Sequence, residues 1–200
     1  MNVRGTLVPC AGGVLLLTAV LAGCGASGSA TAAGPKPPPP APAESNPPGD
    51  IPDNQAYVAF QPPGAGFTVN VPEGWARTTT GPFTTFTDKL NRIEVSEHPA
   101  AKPPTPASVT AGDVPPLART VPAFAPGKAT EVSRKAGTAV LYTYQGNSAA
   151  DPVTGKAVRD AFERYVFHHQ GRDVVVTLSG PVNADNVDPW RTVTDSLRWR

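Results

Sequence analysis

The stretch Ala157 to Pro181, AVRDAFERYVFHHQGRDVVVTLSGP, decides the fold, because its first half reads two ways. As a helix, Val158, Phe162, Tyr165, Val166 and His169 gather on one side at a period of about 3.6 residues. As a strand, Ala161, Glu163, Tyr165 and Phe167 alternate with Phe162, Arg164 and Val166 less cleanly. Periodicity alone favours the helix. The neighbouring residues argue against it. Gln170 to Asp173 reads as a tight turn into the buried strand VVVTLSG, and a hairpin there needs Glu163 to His169 extended. We therefore read 157–169 as a strand.

Upstream, short β-rich runs are punctuated by Gly and Pro. YVAF and GFTVNVPEGW come first, with Phe67, Val69 and Val71 alternating against Thr68 and Asn70. ARTTT, FTTFT and NRIEVSEH follow, then ATEVSRKAG and TAVLYTYQG. From YVAF to NRIEVSEH the gaps are too short for parallel crossovers, so those strands are expected to pair antiparallel. Between them, residues 99–126 are rich in proline but also carry Val109, Val114, Leu117, Val121 and Phe124. That combination predicts a covering layer of two short helical turns, one opening at Thr105-Pro106 and one at Asp113 ahead of Pro115. At the C-terminus, Asp188 is the expected N-cap and Pro189 the first helical residue, with Trp190, Val193 and Leu197 on one face. The chain is expected to end on this docked helix. Pro72 and Gly74 turn the chain, and Trp75 and Trp190 are expected to be structural aromatics. The sum is an α+β fold, a mainly antiparallel sheet with helices packed on it.

The N-terminal residues carry a different message. Residues 1–23 have the form of an export signal: Arg4, an apolar centre GGVLLLTAV, then small residues. The apolar run is too short for a permanent span, and no paired arginines precede it, so export as an unfolded chain by the Sec route is expected. Leu21-Ala22-Gly23-Cys24 resembles the lipobox of bacterial lipoprotein signal peptides at all four positions. That resemblance implies cleavage before Cys24, acylation of its thiol, and a membrane lipid anchor on the outer face of the cell membrane. Several acyl chains on one residue hold a protein at a bilayer. Cys10 is removed with the signal, so the mature chain would have neither free thiol nor disulfide.

Residues 24–54 pass from Gly, Ala and Ser into proline with almost no large apolar side chain, and are expected to form a tether with polyproline character. At roughly 3.1 Å per residue it reaches about 90 Å when fully extended. The globular domain is expected over 55–200. The whole chain has 17 Lys and Arg against 16 Asp and Glu, and cleavage removes only Arg4, leaving the mature chain neutral. Neutrality argues against nucleic acid and anionic lipid surfaces as partners.

The order FTVNVPEGW, AVLYTY, ERYVF, DVVVTLSGP and DPWRTVTDSLRW resembles the PsbP-like fold over about residues 57–200. Proteins of that fold include a photosystem subunit, the yeast Ran-binding relatives and actinobacterial lipoproteins of the LpqN and LpqT type. The resemblance supports the strand over 157–169 and implies a binding role without a shared catalytic constellation. It carries over no partner.

Motifs for chemistry are sparse. No G-x-S-x-G elbow occurs. His168 and His169 are adjacent, so on a strand they face opposite ways and cannot readily share a metal ion. Asp151 to Lys156, DPVTGK, lacks the leading glycine of a phosphate loop and reads as an Asp-Pro turn. Its Asp151, Thr154 and Lys156, with His168 and His169, are the candidate partner or ligand surface. The cluster Asn183, Asp185 and Asn186 lacks an acidic residue at the closing position of a calcium loop. No catalytic residue, metal or cofactor is expected. The leading expectation is a non-catalytic binding or adaptor module for an envelope protein or small ligand. The alternatives are an envelope hydrolase and a carrier of a lipid or other hydrophobic ligand. An adaptor predicts an exposed face with no deep pocket, a carrier an apolar cavity between sheet and helices, and a hydrolase a histidine meeting a carboxylate and a nucleophile.

Overall fold

A computed structural model describes residues 47–150 and 154–200. The segment read as an export signal, the Leu21 to Cys24 motif, the expected tether up to residue 46 and Asp151 lie outside the described residues.

In chain order the elements are β1 (Tyr57–Phe60), β2 (Phe67–Pro72), β3 (Ala76–Thr80), β4 (Phe83–Asp88) and β5 (Asn91–Pro99). Then come α1 (Pro106–Thr120), β6 (Ala125–Arg134), β7 (Gly137–Asn147), β8 (Arg159–His169), β9 (Arg172–Pro181), α2 (Val187–Asp195) and β10 (Arg198–Trp199). A seven-stranded sheet has the order β3-β4-β5-β9-β8-β7-β6, and a three-stranded sheet the order β1-β2-β10. Every pairing between neighbouring strands is antiparallel.

The deciding segment is a strand. β8 turns into β9 through Gln170 and Gly171 at φ of 47° and 76°, closed by the pair His169 and Arg172. Positive φ at both central residues is the type I′ hairpin turn, whose twist matches the flanking strands. Glycine adopts it freely; Gln170 carries the strain.

β8 and β9 lie at the centre of the sheet and are covered on both faces. Tyr165, Phe167, Val174, Val176 and Leu178 face a core completed by Phe67, Val69, Val193 and Leu197. Val166 and Val175 face the other way, onto Val109, Val140, Tyr142 and Tyr144, with Phe162 packed against them. Double coverage makes both faces apolar, which is why the alternation in β8 looked poor and the helical stripe looked good.

Four local readings are corrected. The two helical turns expected in 105–120 are one continuous helix, α1, with Pro115 and Pro116 inside it. Both prolines are exposed, as are Ala111 and Gly112, the residues whose carbonyls the prolines cannot serve, so water can solvate them. The expected start at Thr105 is correct: Thr105 Oγ1 accepts from Ser108 N at 3.1 Å, and Ser108 Oγ accepts from Thr105 N at 2.8 Å. Thr105→Ala should therefore lower stability by about 1 kcal/mol. Urea unfolding of this variant checks the figure.

The last helix opens at Asn186, not Asp188, so Asp188 and Pro189 are its second and third residues. Asn186 does not cap the helix with its side chain. It accepts from Ile51 N at 2.8 Å and donates to Gly49 O and Asn91 Oδ1, each at 3.0 Å. The helix is also not the end of the structure: β10 follows it and pairs Trp199 with Phe67 in β2.

The same network draws in residues assigned to the tether. Ile51 is only 4% exposed, and Gly49 O accepts from Asn91 Nδ2 at 2.8 Å, so the packed body begins before residue 55.

Candidate functional site

The α1-facing side of the large sheet is covered unevenly. Helix α1 packs over β6 and β7. This leaves a trough between the helix and the β4–β5 side, floored by Arg92 and Glu94 of β5, Phe162 and Arg164 of β8 and Thr177 and Ser179 of β9, which share one face of the sheet. Arg164 braces the middle of it. Its Nε meets Asp113 Oδ2 of α1 at 2.7 Å, and its Nη1 donates to Thr177 Oγ1 of β9 at 3.1 Å. Arg92 pairs with Glu94 beside it and donates to Thr85 Oγ1 at 3.3 Å.

At one end, under the start of α1, lies a depression of about 360 Å³ lined by His98, Thr105, Ser108, Asp113, Arg164 and Asp173. His168 Nδ1 lies 2.7 Å from Asp173 Oδ1 at this end of β8 and β9. At the other end a larger cleft of about 760 Å³ opens between the end of α1, the β4–β5 turn and the segment leading into β8. Leu90, Val121, Pro122, Val158 and Phe162 give it apolar walls. Asp160 and Ser179 line the same cleft, each almost fully buried. Asp160 is 4% exposed, and its Oδ1 has no hydrogen-bond partner among the described residues. Burial raises its carboxyl to a pKa of about 6.

The residues singled out in the sequence separate. Thr154 and Lys156 line the large cleft, whereas His168 belongs to the opposite end of the trough with Asp173. His169 points to the other face of the sheet and stacks on Trp199, ring centroids 4.9 Å apart. The two histidines therefore do not meet, and no group of three metal-binding side chains occurs among the described residues. Gly74 turns the chain at φ 83°, Pro72 and Trp190 are buried, and Trp75 packs half-buried against the core.

Asp160 was missed, although a signal existed. Once 157–169 is a strand, Asp160 shares the face of Phe162 and Val166, an inward position where a carboxylate is out of place. Asn186 gave no such signal, because its partners lie 135, 137 and 95 positions away in sequence.

No family model matches the chain, and no curated protein matches it. Solved structures do. A Bacteroides thetaiotaomicron protein superposes with a TM-score of 0.50 at 12% identity over 71% of this chain and 48% of the other, so this chain spans about half its length. LpqN of Mycobacterium tuberculosis, described as involved in cell envelope biogenesis, gives a TM-score of 0.40 at 16% identity over 72% of this chain and 91% of that one. Cyanobacterial PsbP from Synechocystis gives 0.50 at 14% identity, covering 73% of this chain and 94% of the other. With its antiparallel sheets and packed helices, this chain has the PsbP-like α+β fold.

Proposed function

We propose that this chain is a lipid-anchored binding module of the cell envelope, held outside the membrane by acylated Cys24 and performing no reaction of its own. The observation that carries the binding role is the 760 Å³ cleft, whose walls are apolar and whose floor presents a few buried polar groups. Ligand sites have this composition, and they favour seams between a sheet and a helix end. A cleft of this kind fits a small ligand or an inserted side chain of a partner better than it fits a flat adaptor face. The anchor rests on Leu21-Ala22-Gly23-Cys24 and the proline-rich tether behind it. No helix among the described residues is long and apolar enough to cross a membrane.

A hydrolase is favoured by one feature, the His168–Asp173 pair. Against it, the two hydroxyls lining that depression are engaged by each other's backbone: Ser108 Oγ donates to Thr105 O at 3.0 Å and accepts from Thr105 N, and Thr105 Oγ1 accepts from Ser108 N. A nucleophile there would first have to leave its capping bonds.

The test is labelling with palmitate, followed by detergent extraction and pull-down of the full-length protein. Wild type is expected to carry label and to enrich a small molecule or envelope protein; Cys24→Ser is expected to lose all label. Label retained by Cys24→Ser would overturn the anchor. Ester hydrolysis by the purified protein that disappears in His168→Ala would overturn the binding role in favour of an enzyme.

A further inference from the structure

We propose that the large cleft is a site for a primary ammonium group carried on an apolar body, with Asp160 as its anionic seat. This rests on the reading of the cleft as a ligand site and names the chemistry it takes.

Buried acceptors in folded proteins almost always have a donor. Asp160 Oδ1 is buried and has none among the described residues, yet the side chain lines a cleft large enough for a small molecule. The cleft is the open space beside this side chain, so a donor for the carboxylate enters from there, with the side chain turning to meet it. The donor's charge follows from the surroundings. On the β4–β5 side, Lys89 has its side chain 80% exposed beside Asp88, and Arg92 is held by Glu94 and Thr85. Lys89 and Lys156 are exposed, and burial alone raises the Asp160 carboxyl, with no charged neighbour contributing. Arg159, adjacent in β8, turns its guanidinium to Ala123 O and Gln145 Oε1. Ser179 of β9 is neutral, and the end of α1 contributes Thr120 and Val121. None of these groups hydrogen-bonds to Asp160.

With its pKa raised to about 6, the carboxyl is mostly ionised at neutral pH and uncompensated. A neutral hydroxyl would fill a lone pair and leave the charge. An ammonium does both, and charge-assisted hydrogen bonds are about twice as strong as neutral ones. The apolar body of the ligand lies against Phe162, Val158, Pro122 and Leu90, the last of which is 38% exposed at the cleft.

The experiment titrates hexylammonium, 1-hexanol and hexanoate into the mature chain carrying Cys24→Ser, following backbone amide resonances by NMR. Hexylammonium should shift Asp160, Phe162 and Ser179 and bind roughly tenfold or more tightly than either other probe. Asp160→Asn should lose that advantage, binding hexylammonium no more tightly than hexanol, with a thermal melt confirming that the variant is folded. In wild type the affinity for hexylammonium should fall as the pH drops below about 6. Unchanged hexylammonium binding by Asp160→Asn, or equal binding of hexanol and hexylammonium by wild type, overturns the inference while leaving the cleft a ligand site. Absence of any cleft shift with all three probes overturns both.

Discussion

Asn186→Ala is expected to lower the stability of the domain by about 3 kcal/mol, through loss of a hydrogen-bond node and not of apolar area. The Asn186 side chain is 3% exposed as a residue and makes three bonds at once, to Ile51 N, Gly49 O and Asn91 Oδ1. Truncation leaves the Ile51 amide without its acceptor, and an orphaned buried group costs about 1–3 kcal/mol. Gly49 O keeps its bond from Asn91 Nδ2, so that loss is smaller. The site is also tight. A Cβ at Gly180 would lie 2.5 Å from Asn91 Oδ1 and 2.9 Å from Asn186 Nδ2, so β9 carries glycine to admit the pair. Asn186→Asp keeps an acceptor for Ile51 but loses both donor bonds, and should also be destabilised. Urea unfolding of both variants measures the effect; a loss below about 0.5 kcal/mol for alanine would show that the node does not hold the N-terminal segment to the sheet.

How far the sequence could be read depended on how local each cause was. The β8–β9 hairpin was legible because Gln170-Gly171 and the VVV run act within ten residues of one another. The start of α1 was legible for the same reason, since Thr105 and Ser108 satisfy each other. Its length was not, because proline's penalty depends on which side of the helix it occupies, and at Pro115 and Pro116 that side is exposed. The opening of α2 was misread for the opposite reason. Asp188-Pro189 is a good local start signal, but long-range bonds fix Asn186 and begin the helix two residues earlier. Within the candidate site, Thr154 and Lys156 stood out as loop polar residues, whereas Asp160 acquired meaning only after its strand face was known. The side chain with the largest consequence for binding was thus hidden behind the same helix-or-strand ambiguity as the fold.

Asp160 makes the stability of the free protein depend on pH with a definite sign. Its folded pKa is about 6, above the ordinary value of 3.8, because burial disfavours the carboxylate. The folded state therefore holds the proton more tightly than the unfolded chain. Below about pH 4 the carboxyl is protonated in both states and there is no penalty. As the pH rises from about 4 to 6 the unfolded chain ionises first, stability falls, and above about 6 the full penalty persists. Because the cleft admits solvent, the penalty is discounted to about 1–2 kcal/mol. Asp160→Asn should raise stability by that amount at pH 8, have little effect at pH 4, and flatten the slope between. Denaturant unfolding at a series of pH values reads the difference directly. A variant less stable than wild type at pH 8 would mean that the carboxylate is already satisfied in the free protein. The cleft would then have no uncompensated charge to offer a ligand. A protein that retains such a destabilising group in an open cleft gives up stability without a ligand and regains it when an ammonium is bound, so added hexylammonium should raise the melting temperature of wild type at pH 8 more than that of Asp160→Asn.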